Sequence, residues 1–291
     1  VVKARLTALG AWSNAVIVTG PDGPLRELAR ADGLPAYDVP VPVGGRFSVF
    51  TPAATVPLAL CGIDVAALIA GGRAAAARCA SPGGAAARLA SLLVACERAG
   101  RNVVALWAYA ERLESIGEWF RQLWAESLGK TRADGSRAGQ TPLHCVGTTD
   151  QHSIQQLMVE GPRDKAVLVV AGPAPEGLVV PAGAGPASGH EMGAILTAMR
   201  RATTAEMVRA GCPALTFLLE DFAPASVGAL LMTFLCATVV AGDLLSVNPF
   251  GQPGVEAAKG TARALLADPG GSIDAETTRL LGEATGLRTG I

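Results

Sequence analysis

The sequence predicts an α/β protein built on parallel sheet, and three observations carry that expectation. Short apolar runs such as Asn14–Thr19, Asn102–Trp107, Lys165–Val170 and Ala214–Leu219 have the length and branched composition of buried strands. Segments with helical apolar spacing alternate with them, which is the rhythm of crossovers between parallel strands. The rhythm occurs twice, on either side of an Ala-rich stretch, so two lobes are expected. Residues 1–80 hold the first lobe and the crossing segment, and residues 81–291 hold the second lobe with the C-terminal helices.

Taken in order, Val1 to Leu9 reads as the end of a helix. Asn14–Thr19 is a strand stopped by Pro21-Asp-Gly23, and Pro24 opens a helix that Asp32-Gly33 ends. Ala36–Val39 is a second short strand. Val43–Ser48 is a Gly-rich loop carrying Arg46, and Thr51–Cys61 is helical despite Pro57. Asp64 caps the next helix, which is expected to run to about Ala70. Gly71 to Gly84 then reads as Ala-rich chain with small breaks, and Ala85–Ala99 as another helix.

The second rhythm begins with the strand Asn102–Trp107 and a helix over Glu111–Leu128. Thr131–Gln140 is polar and reads as a loop. Thr148 or Thr149 is the expected cap of a helix over Asp150–Val159. Lys165–Val170 is a strand, Gly172–Gly189 is mostly irregular, His190–Ala210 is a helix and Ala214–Leu219 is a strand. A long apolar helix, the segment Asn248–Lys259 and two terminal helical stretches follow.

Composition excludes several function classes. Charged residues are 17% of the chain and the formal net charge is -1. That offers no electrostatic footprint for nucleic acid or an anionic membrane. Ala223–Gly242 lacks charge and is long enough to span a bilayer. Its flanks are Asp221 and Asp243 with no nearby basic anchor, so it reads as a buried core helix rather than a membrane span. The 6 cysteines form no close pair and read as buried thiols of a reducing compartment. No metal-ligand spacing is found. Gly183-Ala-Gly185 imitates a dinucleotide fingerprint, but Ser188 and Pro186 spoil it and no strand–turn–helix unit follows.

Four segments carry candidate chemistry. In Gly44-Gly45-Arg46, glycine lets a ligand approach the backbone and a guanidinium can hold an anionic oxygen; a turn with a surface arginine is the plain alternative. In Trp119–Lys130, Gln122 and Glu126 share one helix face. Glu126 is either a solvated charge or a base partly buried among Trp119, Phe120 and Trp124. Gly147–Ser153 places His152 in the first turn of a helix, as a proton-moving ring or an ordinary polar residue. In Asn248–Lys259, Gln252, Glu256 and Lys259 lie on neighbouring helical turns, where an exposed helix start is the alternative.

Together and in this order, VGGRFSVFTP (43–52), WFRQLWAESLGK (119–130), GTTDQHSIQQLMVEGP (147–162) and NPFGQPGVEAAK (248–259) strongly resemble the bacterial form of glucose-6-phosphate isomerase. The resemblance covers essentially the whole chain. It implies two sugar-isomerase (SIS) lobes, each a parallel sheet flanked by helices, with the first lobe truncated. It implies an aldose–ketose isomerase of glycolysis and gluconeogenesis that uses no metal or organic cofactor. The expected protein is cytoplasmic and homodimeric, with an active site shared between subunits and a sugar phosphate as substrate.

By the matching positions, Glu126 is the base that moves a proton between C2 and C1 through an enediol. Arg46 stabilises the enediolate. His152, brought from the partner subunit, and Lys259 open the sugar ring. Gln122, Gln252 and Gly45 line the substrate. Two departures stand out. Gly251 replaces the usual Asp of the family's motif, and the family's two phosphate-gripping loops precede the point where this chain begins. A dual phosphoglucose/phosphomannose isomerase and a non-catalytic phosphosugar-binding SIS module are the alternatives. Four residues suited to chemistry argue against the second.

Overall fold

The computed structural model describes residues 1–79, 81 and 83–267. The chain divides into two units, Val1–Pro249 and Phe250–Ile291. The first unit opens with α1 (Val2–Ala8), β1 (Ile17–Thr19), α2 (Pro24–Ala31) and β2 (Ala36–Asp38). β1 and β2 pair in parallel, with Ile17 opposite Ala36 and Thr19 opposite Asp38. α3 (Pro52–Leu60) starts as its sequence dictates: Pro52 occupies the first turn, and the Thr51 hydroxyl accepts from the Ala53 N–H at 3.3 Å. Pro57 lies inside it.

The principal sheet is parallel and four-stranded, built from β3 (Val103–Ala108), β6 (Thr141–Val146), β7 (Lys165–Ala171) and β8 (Ala214–Leu218). Their order is β6-β3-β7-β8. β3 and β7 are central and buried on both faces, which is why they read as continuous apolar runs. Side chains alternate between two cores. Val104, Leu106, Leu168 and Val170 face α5 (Ala85–Arg98), α6 (Glu114–Leu128) and α9 (Pro224–Leu244). Trp107, Val167 and Val169 face α7 (Gln155–Glu160) and α8 (Met192–Arg209) through Met158 and Met207. Phe234 of α9 anchors the first core, 5.2 Å from the Phe120 ring and edge-on to Phe217 at 5.3 Å.

β6 is a strand where the sequence suggests none. It is the edge strand, and its register against β3 runs from Thr141–Val103 to Val146–Ala108. Pro142 is tolerated there because an edge strand can forgo a ladder donor. The preceding polar loop contains a small antiparallel hairpin, β4 (Lys130–Thr131) with β5 (Arg137–Ala138).

The expected breaks after Ala70 are absent. α4 (Val65–Cys79) runs unbroken through Gly71 and Gly72, with the Asp64 carboxylate accepting from the Ala67 N–H at 2.9 Å. These glycines let two helices touch. A Cβ on Gly71 would stand 1.9 Å from the Ala225 carbonyl oxygen, and one on Gly228 would stand 2.1 Å from that of Leu68. Small residues on both sides bring α4 against α9 at backbone distance.

α9 is long and apolar enough to cross a membrane by length and composition, and half of its most apolar window is buried in this fold. It is therefore half-buried rather than fully enclosed: Phe234, Ala237, Thr238 and Ala241 face the core, while Val239 is exposed. In the second unit, α10 (Pro253–Ala267) follows the Pro/Gly segment as expected and has no buried residue. The last helical stretch expected from the sequence lies outside the described residues.

Two substitutions test this packing. Gly228→Ala should lower stability by about 1–3 kcal/mol, because the added methyl meets backbone rather than a movable side chain. Phe234→Ala should cost about 3–5 kcal/mol through the cavity it leaves. Urea unfolding of the purified protein checks both; an unchanged midpoint in Gly228→Ala would contradict the close α4–α9 contact.

Candidate active site

Arg46 is, with Lys165, one of two charged residues of the first unit that are only 3% exposed. The segment expected to be a Gly-rich loop is a 3-10 helix over Gly45–Phe50, and Arg46 is its one buried residue. Its Nε donates to the Ser127 Oγ at 2.7 Å and its Nη2 donates to the Pro249 carbonyl at 2.8 Å. Its own carbonyl accepts from the Trp119 indole N–H at 3.0 Å. The guanidinium also lies 5.3 Å from the Phe47 ring centre. Gly45 is exposed, and a Cβ there would meet nothing within 4 Å among the described residues. Packing in this unit therefore gives no reason for glycine at that position.

Glu126 approaches the same guanidinium from α6, with Oε2 3.5 Å from Arg46 Nη1. The Gln122 side-chain amide donates to that same oxygen at 3.1 Å, one helical turn away. Both contacts fall on Oε2 and leave Oε1 outside them. The two partners differ in solvation: the Arg46 side chain is 2% exposed and that of Glu126 is 19% exposed. Burial pushes the Arg46 pKa down, and the Glu126 charge partly offsets this.

The expected aromatic surroundings of Glu126 are only partly present. Phe120 and Trp124 stack on each other at 5.5 Å inside the core, on the other side of α6. Trp119 alone reaches the arginine segment. A helix turns by about 100° per residue, so the spacing that buries Phe120, Leu123 and Trp124 carries Gln122 and Glu126 away from them.

His152 is not in the first turn of an α-helix. It ends a separate 3-10 turn, Thr149–His152, before α7 begins at Gln155. Neither expected threonine cap forms at its start: the Thr148 side chain makes no capping bond. Asp150 shapes the turn instead, accepting from the Val146 N–H at 2.6 Å and the Ser153 hydroxyl at 2.6 Å. Gln151 ties it down by donating to the Tyr109 hydroxyl at 3.1 Å and to the Thr203 hydroxyl at 2.8 Å. His152 itself is exposed.

Gln252 and Lys259 belong to the second unit. There Lys259 Nζ donates to Glu256 Oε1 at 2.8 Å. Lys259, followed by a hydrogen bond from Gln252, holds the Glu256 carboxyl below its usual range. The helical spacing read from the sequence thus brings these three side chains together.

Sequence reasoning missed three participants. Ser127 and the Pro249 carbonyl have no chemical signature of their own and matter only through Arg46. Lys130 ends the aromatic motif, and its pKa is lowered by burial and then by the Arg46 charge, with Glu126 opposing. It is a second cation within electrostatic reach of the pair. Its place four residues after Glu126 was a signal available in the sequence.

Among the described residues no group of three or more His, Cys, Asp or Glu side chains gathers as a metal site. The 6 cysteines are free; Cys61 is exposed, contrary to the buried reading. Burial pushes the Cys145 thiol up to about 12, so it is not a nucleophile at neutral pH.

No family model matches the chain. A probable glucose-6-phosphate isomerase of Haloarcula marismortui is 41% identical over 290 residues, which is 95% of this chain and 65% of that protein. The glucose-6-phosphate isomerase of Rubrobacter xylanophilus is 40% identical over 278 residues, or 90% of this chain and 62% of its own length. The crystal structure of a hypothetical protein of Thermus thermophilus superposes with a TM-score of 0.83 at 33% identity, covering 91% of this chain and 68% of that one. A glucose-6-phosphate isomerase structure of Chlamydia trachomatis shares the fold, with a TM-score of 0.79 at 20% identity, covering 98% of this chain and 59% of that one. The chain spans a little under two thirds of the curated relatives it matches. The ordered motifs, the parallel α/β architecture and this identity along nearly the full chain agree: the chain is similar, over its own length, to a little under two thirds of the length of proteins named glucose-6-phosphate isomerase.

Proposed function

We propose that this chain carries the proton-transfer and ring-opening residues of an isomerase that interconverts glucose 6-phosphate and fructose 6-phosphate. The observation that carries the reading is the pair formed by Arg46 and Glu126, a buried cation 3.5 Å from a more exposed carboxylate. A proton α to a carbonyl is weakly acidic. Removing it requires a placed base and a fixed positive charge where the enediolate oxygen develops. Glu126 takes the C2 proton on Oε1, the oxygen outside the Gln122 and Arg46 contacts, and returns it to C1. Arg46 faces the enediolate and holds its charge.

His152 and Lys259 open the ring in this reading, and Gln122, Gln252 and Gly45 line the sugar. His152 serves a second copy of the chain, in a cytoplasmic homodimer with shared active sites. Its exposure on a turn pinned by Asp150 and Gln151 supports that role. The chemistry is acid–base throughout and draws on no metal or organic cofactor. Residues 1–80 are the later part of a first SIS lobe and residues 81–291 the second lobe. That the relatives carry the isomerase name favours this reading over a module that only binds a phosphosugar.

Two variants test the roles. Glu126→Gln should cut solvent-deuterium incorporation at C2 of glucose 6-phosphate by about 10²–10⁴-fold, the usual worth of a general base, with the circular dichroism spectrum unchanged. Exchange within a few-fold of the parent would remove Glu126 from the role. Arg46→Lys keeps the charge but loses the planar fork. It should lower kcat by roughly 10²–10³-fold with a smaller change in KM, read from steady-state kinetics of the coupled assay.

A further inference from the structure

We infer that Ser127 is a positioning residue that holds the Arg46 guanidinium in register with Glu126. The inference rests on the function proposed above. Ser127 is 0% exposed, and its hydroxyl oxygen is the acceptor for Arg46 Nε at 2.7 Å. The Pro249 carbonyl takes Nη2 at 2.8 Å, so two of the three nitrogens are anchored by neutral oxygens. A planar guanidinium bonded at Nε and Nη2 has its plane fixed. Nη1 is then the nitrogen presented to the carboxylate, at 3.5 Å.

That separation exceeds an ordinary charge-assisted hydrogen bond of about 2.7–2.9 Å. The two neutral anchors thus help to hold the cation close to the carboxylate but short of full pairing. Without them, attraction in a poorly hydrated site would draw the guanidinium onto Glu126 and engage the base. Ser127 follows Glu126 directly on α6. One rigid helix thus carries both the base and the anchor that sets the position of the cation. The two side chains diverge by about 100°, which sends the carboxylate toward the open side and the hydroxyl inward.

The test compares Ser127→Ala, Ser127→Thr and Ser127→Cys in the full chain by two measurements. The first is steady-state kinetics with glucose 6-phosphate and fructose 6-phosphate. Ser127→Ala and Ser127→Cys, which lack a good oxygen acceptor, should lose about 100-fold in kcat with little change in KM, as expected when a catalytic group is misplaced by about 1 Å. Ser127→Thr should restore turnover. The second is solvent exchange of the Arg46 Nε proton by ¹H–¹⁵N NMR, assigned by its loss in Arg46→Lys. That proton should be protected in the parent and in Ser127→Thr, and should exchange faster in the other two.

The NMR arm decides the positioning role whether or not the chain turns over substrate. If the parent protein shows no isomerisation, the function reading fails alone, and Nε exchange still tests the anchor. Should Ser127→Cys keep parental kcat and Nε protection, the inference is overturned. It is equally overturned if Ser127→Ala folds and leaves the Nε proton as protected as in the parent. If Ser127→Ala does not fold, the Cys and Thr variants decide between the outcomes.

Discussion

A guanidinium taken out of water is the constraint on which the site depends. Burying a charge is expensive unless every donor finds an acceptor. Arg46 meets that demand with acceptors from distant parts of the chain, Ser127 on α6 and Pro249 after α9. The partners lie 81 and 203 residues away in sequence. Holding one arginine in place therefore requires the 3-10 segment 45–50, the end of α6 and the chain after α9 to converge. The Trp119 indole adds a further tie, through the Arg46 carbonyl.

The core beneath supplies the rigidity. α6 uses one side, with Phe120, Leu123 and Trp124, to pack on the central strands and on Phe234 of α9. Its other side carries Gln122 and Glu126. Because packed interiors have few soft directions, the carboxylate inherits its position from the core. α9 is fixed in turn by its glycine-mediated contact with α4. His152 is held by a different device, a turn whose polar side chains bond to the ends of β6 and β3 and to α8. The two kinds of support differ in outcome: the Arg46 guanidinium is buried, whereas His152 is presented outward.

Much of this was legible in the residues, and the misreadings have physical causes. The central strands and α6 were clear because burial on both faces, or on one stripe, leaves an apolar pattern. Arg46 and Glu126 stood out only through the motifs around them, since neither spacing nor composition reveals that side chains so far apart in the chain share a hydrogen-bonding centre. β6 was hidden because an edge strand with Pro142 and His144 has no continuous apolar run. Gly71 and Gly72 read as breaks because local propensity penalises glycine in helices, whereas here a tertiary contact with Ala225 and a close approach to Phe50 require it. The aromatic residues near Glu126 suggested a carboxylate among rings; helical geometry instead sends Phe120 and Trp124 into the core. Ser127 could not be read at all, because a serine acquires its role only when a donor is folded against it.

The central claim is that Arg46 and Glu126 together face the reacting carbons of a sugar phosphate. The most direct measurement is a crystal structure of the protein with a linear aldonic acid phosphate, whose planar carboxylate imitates the enediolate. The account predicts a carboxylate oxygen of the ligand within hydrogen-bond distance of Arg46 and the Glu126 carboxylate over the adjacent carbon, with Ser127 still bonded to Nε. A ligand bound elsewhere, with the Arg46–Glu126 contact undisturbed and no ligand oxygen near it, would contradict it.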